Sequence, residues 1–374
     1  MRPLPRLTAS VLLALAGAIL PSPRGFAQVD AGTKIRTVEA PRAATTRLAR
    51  EGVFREIVVP RPVPSRTMAE LDLVNPGLSK AVPGLVPMLA KAEVSTRFAQ
   101  LYDAKLATIR RGRILSRHNY FDCDTILRLE HPATGQKVLL VQGDMDSVTD
   151  GSDPGRASRL SDYNLARTSD WYLPETAYSW TGPGGVNPFL AYYPEAKSRL
   201  SGYRSQFEKE AARDRGVVWR ELIKACDAQI YRVEQRGMLA STRDGLQRRR
   251  FLLSDRDPFV VLPKSWVVGK QAFSANVGDY AIVVAGGKLL PAILGDAGPD
   301  DKVGEASLKL ARAVQPKASG TYRAVSDLSV TYLFFPRSAD PRGTPDLARW
   351  NQKCAALLGR IGGAGQGFEL HRWE

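Results

Sequence analysis

The stretch that most constrains the fold is YAIVVAGGKLLPAILGD, Tyr280–Asp296. Two apolar runs meet at Gly286-Gly287, and the glycines allow the positive φ angles that a two-residue hairpin turn requires. The same short-strand pattern recurs along the chain. TILRLEHPATGQKVLLVQGD (Thr125–Asp144) reads as strand, His-Pro to Thr-Gly turn, strand. DPFVVLP (Asp257–Pro263) reads as a buried strand and VTYLFFP (Val330–Pro336) as a later one. Short strands joined by turns favour a closed barrel over a doubly wound sheet. The predicted class is therefore mainly β within α+β: a closed β-barrel core with N-terminal helices and a helical insertion. A double-psi barrel is the first candidate among closed forms.

Helical signals lie before and inside this β pattern. NPGLSKAVPGLVPMLAKAEVSTRFAQLYDAKLATIRRGR has proline-punctuated starts, and Phe98, Leu101, Tyr102 and Leu106 fall at helical spacing. Residues 185–245 read as a helical insertion, with Val218, Leu222, Ile223, Cys226, Ile230 and Val233 on one apolar face. TPDLARWNQKCAALLGRIGG (Thr344–Gly363) is a closing helix with Pro345 near its start and glycines past its end. Residues 28–66, rich in Arg, Ala, Thr and Pro, read as a linker or poorly packed lead-in. The expected organisation is one domain over 67–363, including the helical insertion, with a tail over 364–374.

Charge and the first residues bound the compartment and the partners. Arg2 and Arg6 precede the apolar run Leu7–Leu20, followed by the small-residue stretch GFA before Gln28. This is a signal-peptide pattern over residues 1–27 with cleavage near Ala27, and its apolar run is shorter than the ~20 residues of a membrane span. A secreted or periplasmic monomer with no membrane span after cleavage is expected. The formal net charge is +15, and loss of residues 1–27 removes three arginines and leaves +12. Between Glu195 and Arg250 stand 14 basic and 8 acidic residues, so much of the excess lies in the helical insertion, away from the acidic motifs. That distribution argues against a nucleic-acid partner. Three cysteines (Cys123, Cys226, Cys354) make no disulfide framework, and three scattered histidines share no metal-ligand spacing. Neither a metal nor an organic cofactor is expected.

Two acidic motifs carry the chemistry. Strand VLLVQ runs into GDMDSVTDGSD, with Asp144, Asp146, Asp150 and Asp153. Counting from Asp144, an EF-hand would need Gly at Thr149 and Glu at Gly155, so that reading fails. An Asx-rich turn and a non-EF cation site both remain, because four carboxylates in ten residues repel one another unless something positive sits among them. The second motif is AILGDAGPDDKVGEAS (Ala292–Ser307). Asp296 closes the second strand of the hairpin; Glu305 follows a short excursion and opens EASLKLARAV, read as a helix. Carboxylates on two rigid elements can face each other across a groove, as glycoside hydrolysis requires: one to donate a proton, one to activate water.

DMDSVTDG (Asp144–Gly151), YAIVV (Tyr280–Val284) and above all GDAGPDDKVGEASLKLA (Gly295–Ala311) resemble the chitosanases of glycoside hydrolase family 75. The resemblance spans roughly Thr67 to Gly363. It implies an endo-acting, inverting hydrolysis of β-1,4-linked glucosamine polymer, with Asp296 as the base and Glu305 as the proton donor. Asp144, Asp146, Asp150 and Asp153 would then line the groove and bind substrate ammonium groups. Thr176 and Tyr178, with Trp171 and Trp180, would supply hydrogen bonds and a stacking surface. Two alternatives stay open: a hydrolase of a less cationic aminosugar glycan such as peptidoglycan, and a non-catalytic wall- or glycan-binding protein. A Lys or Arg salt bridge burying either Asp296 or Glu305 would favour the last.

Overall fold

A computed structural model describes residues 34–40, 56–110, 117–157, 172–182, 187, 192–213, 223–224, 226–227, 230–231, 233–235, 248–267, 269, 271–320 and 323–374. The signal-peptide reading, the cleavage point and Trp171 lie outside them.

Six strands close the barrel: β5 (Lys137–Val148), β8 (Phe259–Pro263), β9 (Tyr280–Ala285), β10 (Lys288–Gly298), β11 (Glu305–Ser307) and β12 (Val325–Phe334). Round the barrel they run β5, β11, β8, β10, β9, β12 and back to β5. The closure depends on the length of β5. Its residues Leu139–Gly143 pair with β12 and, on the other edge, with β4 (Cys123–Glu130). Its last residues, Asp146–Val148, pair in parallel with β11. β10 is similarly divided, antiparallel to β9 over its first half and parallel to β8 over its second. The closed barrel and the mixed, mainly β class expected from the sequence are both present.

The hairpin forms as its turn predicts: Gly286 has φ 55° and Gly287 φ 75°, the two positive angles of a type I′ turn. The strands are apolar almost without interruption because both of their faces are covered. Along β9, Ala281, Val283 and Ala285 belong to one buried cluster, and Tyr280, Ile282 and Val284 to another, following the two-residue alternation of a strand. The first cluster is covered by α4 (Thr96–Arg110), through Phe98, Leu101, Tyr102 and Leu106. The second is covered by α1 (Met68–Val74), α2 (Leu78–Ala81), α3 (Leu85–Leu89) and the closing helix α8 (Leu347–Arg360). α5 (Tyr192–Arg213) lies in the expected helical insertion, with Leu200 and Phe207 buried.

Several segments differ from the sequence reading. Within the expected lead-in, β1 (Lys34–Ala40) and β2 (Glu56–Pro62) form a parallel pair, and Val59 is buried in the barrel's first cluster. The C-terminal residues pack on the barrel: His371 N–H donates to Leu289 O at 2.8 Å and Trp373 Nε1 to Pro291 O at 2.8 Å. The three cysteines are free and buried. Among the described residues no helix is long and apolar enough to cross a membrane.

Candidate active site

Asp296 is placed by a bulge. The pairing of β10 with β8 shifts register between Leu294 and Asp296, so Gly295 is the extra residue. Only glycine fits there, since a Cβ would stand 2.6 Å from Phe259 Cβ. Beyond the bulge Asp296 pairs with Val261 of β8. Its Oδ1 accepts the N–H groups of Ala177 and Ala297, each at 2.8 Å. The segment holding Ala177 is itself fixed, because Tyr178 N–H donates to Gly295 O at 2.8 Å.

Glu305 stands on the other side of β8. It does not open a helix as the sequence suggested: Glu305–Ser307 is strand β11, and helix α7 (Leu308–Val314) begins one residue later, capped by the Ser307 hydroxyl. Strand geometry wins because these three residues fill the gap between β5 and β8. Ala306 faces Val260 across an antiparallel pair, which sets Glu305 beside Val261, and Glu305 pairs with Asp146 on β5. Asp296, Val261, Glu305 and Asp146 thus form one row across four strands. A Cβ on Gly298 would come within 2.8 Å of Glu305 Oε2 and 3.0 Å of Val261 Cγ1, so the Glu305 carboxyl leans over β8 toward β10. Two interstrand spacings of about 4.8 Å separate the Asp296 and Glu305 backbones by about 10 Å.

Two acids of the row, Glu305 and Asp146, carry cations that the sequence reading did not assign. Lys302 Nζ donates to Glu305 Oε1. The side chains are 23% and 13% exposed, respectively, so the pair is only partly open to water. Burial works against the Lys302 ammonium, yet Glu305 and Asp146 outweigh it and hold its pKa above the ordinary lysine value. Arg323 bonds Asp146 Oδ1 at 3.0 Å and Asp144 Oδ2 at 3.2 Å. Asp144 is buried, and burial, followed by the neighbouring Asp146 and Asp122, pushes its pKa well above the ordinary carboxylate value. Lys302 was within reach of sequence reasoning, three residues before Glu305 in the quoted motif. Arg323, far along the chain, was not.

The other expected residues are placed differently. Asp144 and Asp146 are on strand β5, not in a loop, because β5 must continue to meet β11. Asp150 Oδ1 accepts the Leu173 N–H at 2.7 Å. Asp153 is buried against Arg156 at 2.6 Å and Arg250 at 3.8 Å, while Arg156 also forks onto Asp257. The repulsion within this acidic stretch is therefore relieved by arginines of the chain itself. Among the described residues no group of three or more His, Cys, Asp or Glu is arranged to hold a metal ion. Thr176 is buried, donating to Tyr178 O at 2.8 Å and accepting from Leu252 N–H at 3.3 Å. Tyr178 is buried edge-on to Trp180, its hydroxyl 3.3 Å from Gly343 O, and Trp180 carries Arg156 over its ring. The structure brings together Asp296, Glu305, Asp146 and Asp144. Thr176 and Tyr178 belong to the scaffold behind Asp296, and Asp150 and Asp153 to the packing of the neighbouring loops.

No curated protein matches the chain. Residues 229–365 match the family model described as fungal chitosanase of glycosyl hydrolase group 75. The matched stretch contains β8 to β12 and both Asp296 and Glu305; β5, with Asp144 and Asp146, lies before it. Over residues 229–365 the chain is therefore similar to glycosyl hydrolase group 75, a similarity that supports a glycoside hydrolase of the chitosanase type.

Proposed function

We propose that the protein is an exported, endo-acting hydrolase that cleaves β-1,4-linked glucosamine polymer with inversion. The observation that carries this reading is the row Asp296–Val261–Glu305, which stands two carboxylates on the two barrel strands that flank β8, with one apolar residue between them. Inverting hydrolysis needs carboxyl groups about 6.5–9.5 Å apart, so that water fits beside the anomeric carbon. A backbone separation of about 10 Å, with Glu305 leaning inward, suits that requirement.

Asp296 receives two backbone N–H groups on one oxygen, an arrangement that favours a carboxylate and suits the base. It takes a proton from water as the water oxygen bonds to C1. Glu305 delivers a proton to the departing O4 as the C1–O4 bond breaks. The proton leaves from Oε2, the oxygen beside Gly298, while Oε1 keeps its contact with the Lys302 ammonium. Asp146, half-buried beside Arg323 at the end of the row, supplies negative charge for a substrate ammonium.

The Lys302–Glu305 pair also supports a second reading, glycan binding without cleavage, since an ion-paired carboxylate is not a ready proton donor. The two readings separate on product analysis. Proton NMR of a glucosamine hexamer digested by the protein should show α-anomeric reducing ends appearing first. Initial β-anomer would exclude inversion, and an intact hexamer bound without cleavage would favour the binding protein.

A further inference from the structure

The excursion between β10 and β11 is anchored on both sides of Lys302. Ser265 N–H donates to Asp300 Oδ1 at 2.9 Å. Lys105 Nζ donates to Asp301 O at 2.6 Å, and Lys105 is itself fully buried on Asp122 at 2.9 Å. After Lys302, Val303 N–H meets Asp122 Oδ2 at 3.3 Å, and Gly304 O accepts the Asp146 N–H at 2.8 Å. Gly304 has φ 84°, and the Asp144 carbonyl oxygen would stand 2.6 Å from any Cβ there. The chain has one way through this turn, and it returns Lys302 over Glu305.

A lysine on a free surface loop gains little from an ion pair. Here four of its neighbours are tied down, its ammonium meets Glu305, and Asp146 is near enough to favour its charge. The contact occupies Glu305 Oε1, while Oε2 is the oxygen beside Gly298, two residues past Asp296 on β10. The groups facing Glu305 are therefore Lys302 from its own loop, Asp146 on β5 with Arg323 beyond it, and Asp296 on β10, with apolar Val261 from β8 between.

We propose that Lys302 is a positioning residue that clamps Glu305 by one oxygen so that the other faces the bond held above Asp296. This rests on the reading of Glu305 as a catalytic residue. The test compares kcat and KM on a glucosamine hexamer for wild type, Lys302→Met, Lys302→Arg, Lys302→Ala and Glu305→Gln, with melting temperatures for each. Misplacing a reacting group by an ångström costs up to about 100-fold. Lys302→Met should therefore lose roughly 10- to 100-fold in kcat with KM little changed. Lys302→Arg should recover most of that loss. Added ethylammonium, but not ethanol, should restore Lys302→Ala in a saturable way. Wild-type kcat in Lys302→Met beside an inactive Glu305→Gln would overturn the clamp and leave the catalytic pair standing. Equal losses in the Met and Arg variants with no amine rescue would reduce Lys302 to a structural role and also overturn it. An active Glu305→Gln would overturn both the catalytic reading and the clamp.

Discussion

A carboxylate buried among other carboxylates records its environment in the pH dependence of stability. Asp144 is such a group: burial comes first, then Asp146 and Asp122, with Arg323 opposing. Its folded-state pKa is raised, so the native protein holds a proton that the unfolded chain has released above about pH 4. The contribution is full below that pH and is lost as pH rises toward the folded value, at up to about 1.4 kcal/mol per pH unit. Urea unfolding at pH 4, 5.5 and 7 should show Asp144→Asn gaining on wild type at each step. A difference that stays constant with pH would contradict the buried, proton-holding Asp144. The sequence showed that four acids in ten residues require a compensating cation. It could not show that Arg323, Arg156 and Arg250 supply it, because those contacts cross more than 90 positions or depend on a local turn. The candidate pair Asp296 and Glu305 was drawn from the sequence because both fall in the Gly295–Ala311 stretch that carries the family resemblance.

At the level of elements, β11 decides the site. Three residues long, it leaves no periodicity to read, and a true helix follows it at Leu308. The reading of Glu305 as a helix start failed for that reason: its partners are β5 and β8, both distant in sequence. β5 was cut short for the same cause, since only closure of the barrel explains a strand that continues through Asp144 and Asp146. The β9–β10 hairpin was fully legible, because its turn and pairing are local. Two glycines of the second motif should separate stability from chemistry. Gly304→Ala meets a positive φ and the Asp144 backbone, and should cost about 2 kcal/mol or more in chemical denaturation. Gly298→Ala meets the movable carboxyl of Glu305 and a Val261 methyl. It should leave the protein folded, with stability lowered by no more than about 1 kcal/mol, and reduce kcat roughly 10-fold or more by displacing that carboxyl. Unchanged kcat in a folded Gly298→Ala would contradict the inward lean of Glu305.

Over the whole molecule, charge and site pull in opposite directions. A chain of formal charge +15 repels a protonated glucosamine polymer at long range, while the row of acids attracts it at contact. Screening lengths fall from about 30 Å at 10 mM salt to about 8 Å at 150 mM. Salt should therefore weaken the repulsion more than the contact, and kcat/KM on chitosan at pH 5.5 should rise roughly two- to tenfold over that range. A fall would mean that the groove governs the encounter and would return weight to steering by the acids. The central claim is that Asp296 and Glu305 together cleave the polymer. Reducing-end release from fully deacetylated chitosan at about pH 5.5, measured for wild type, Asp296→Asn and Glu305→Gln, tests it directly. Activity in wild type that drops by about 1,000-fold or more in each folded variant is the predicted result. Wild type without activity on chitosan, or either variant retaining it, would contradict the account.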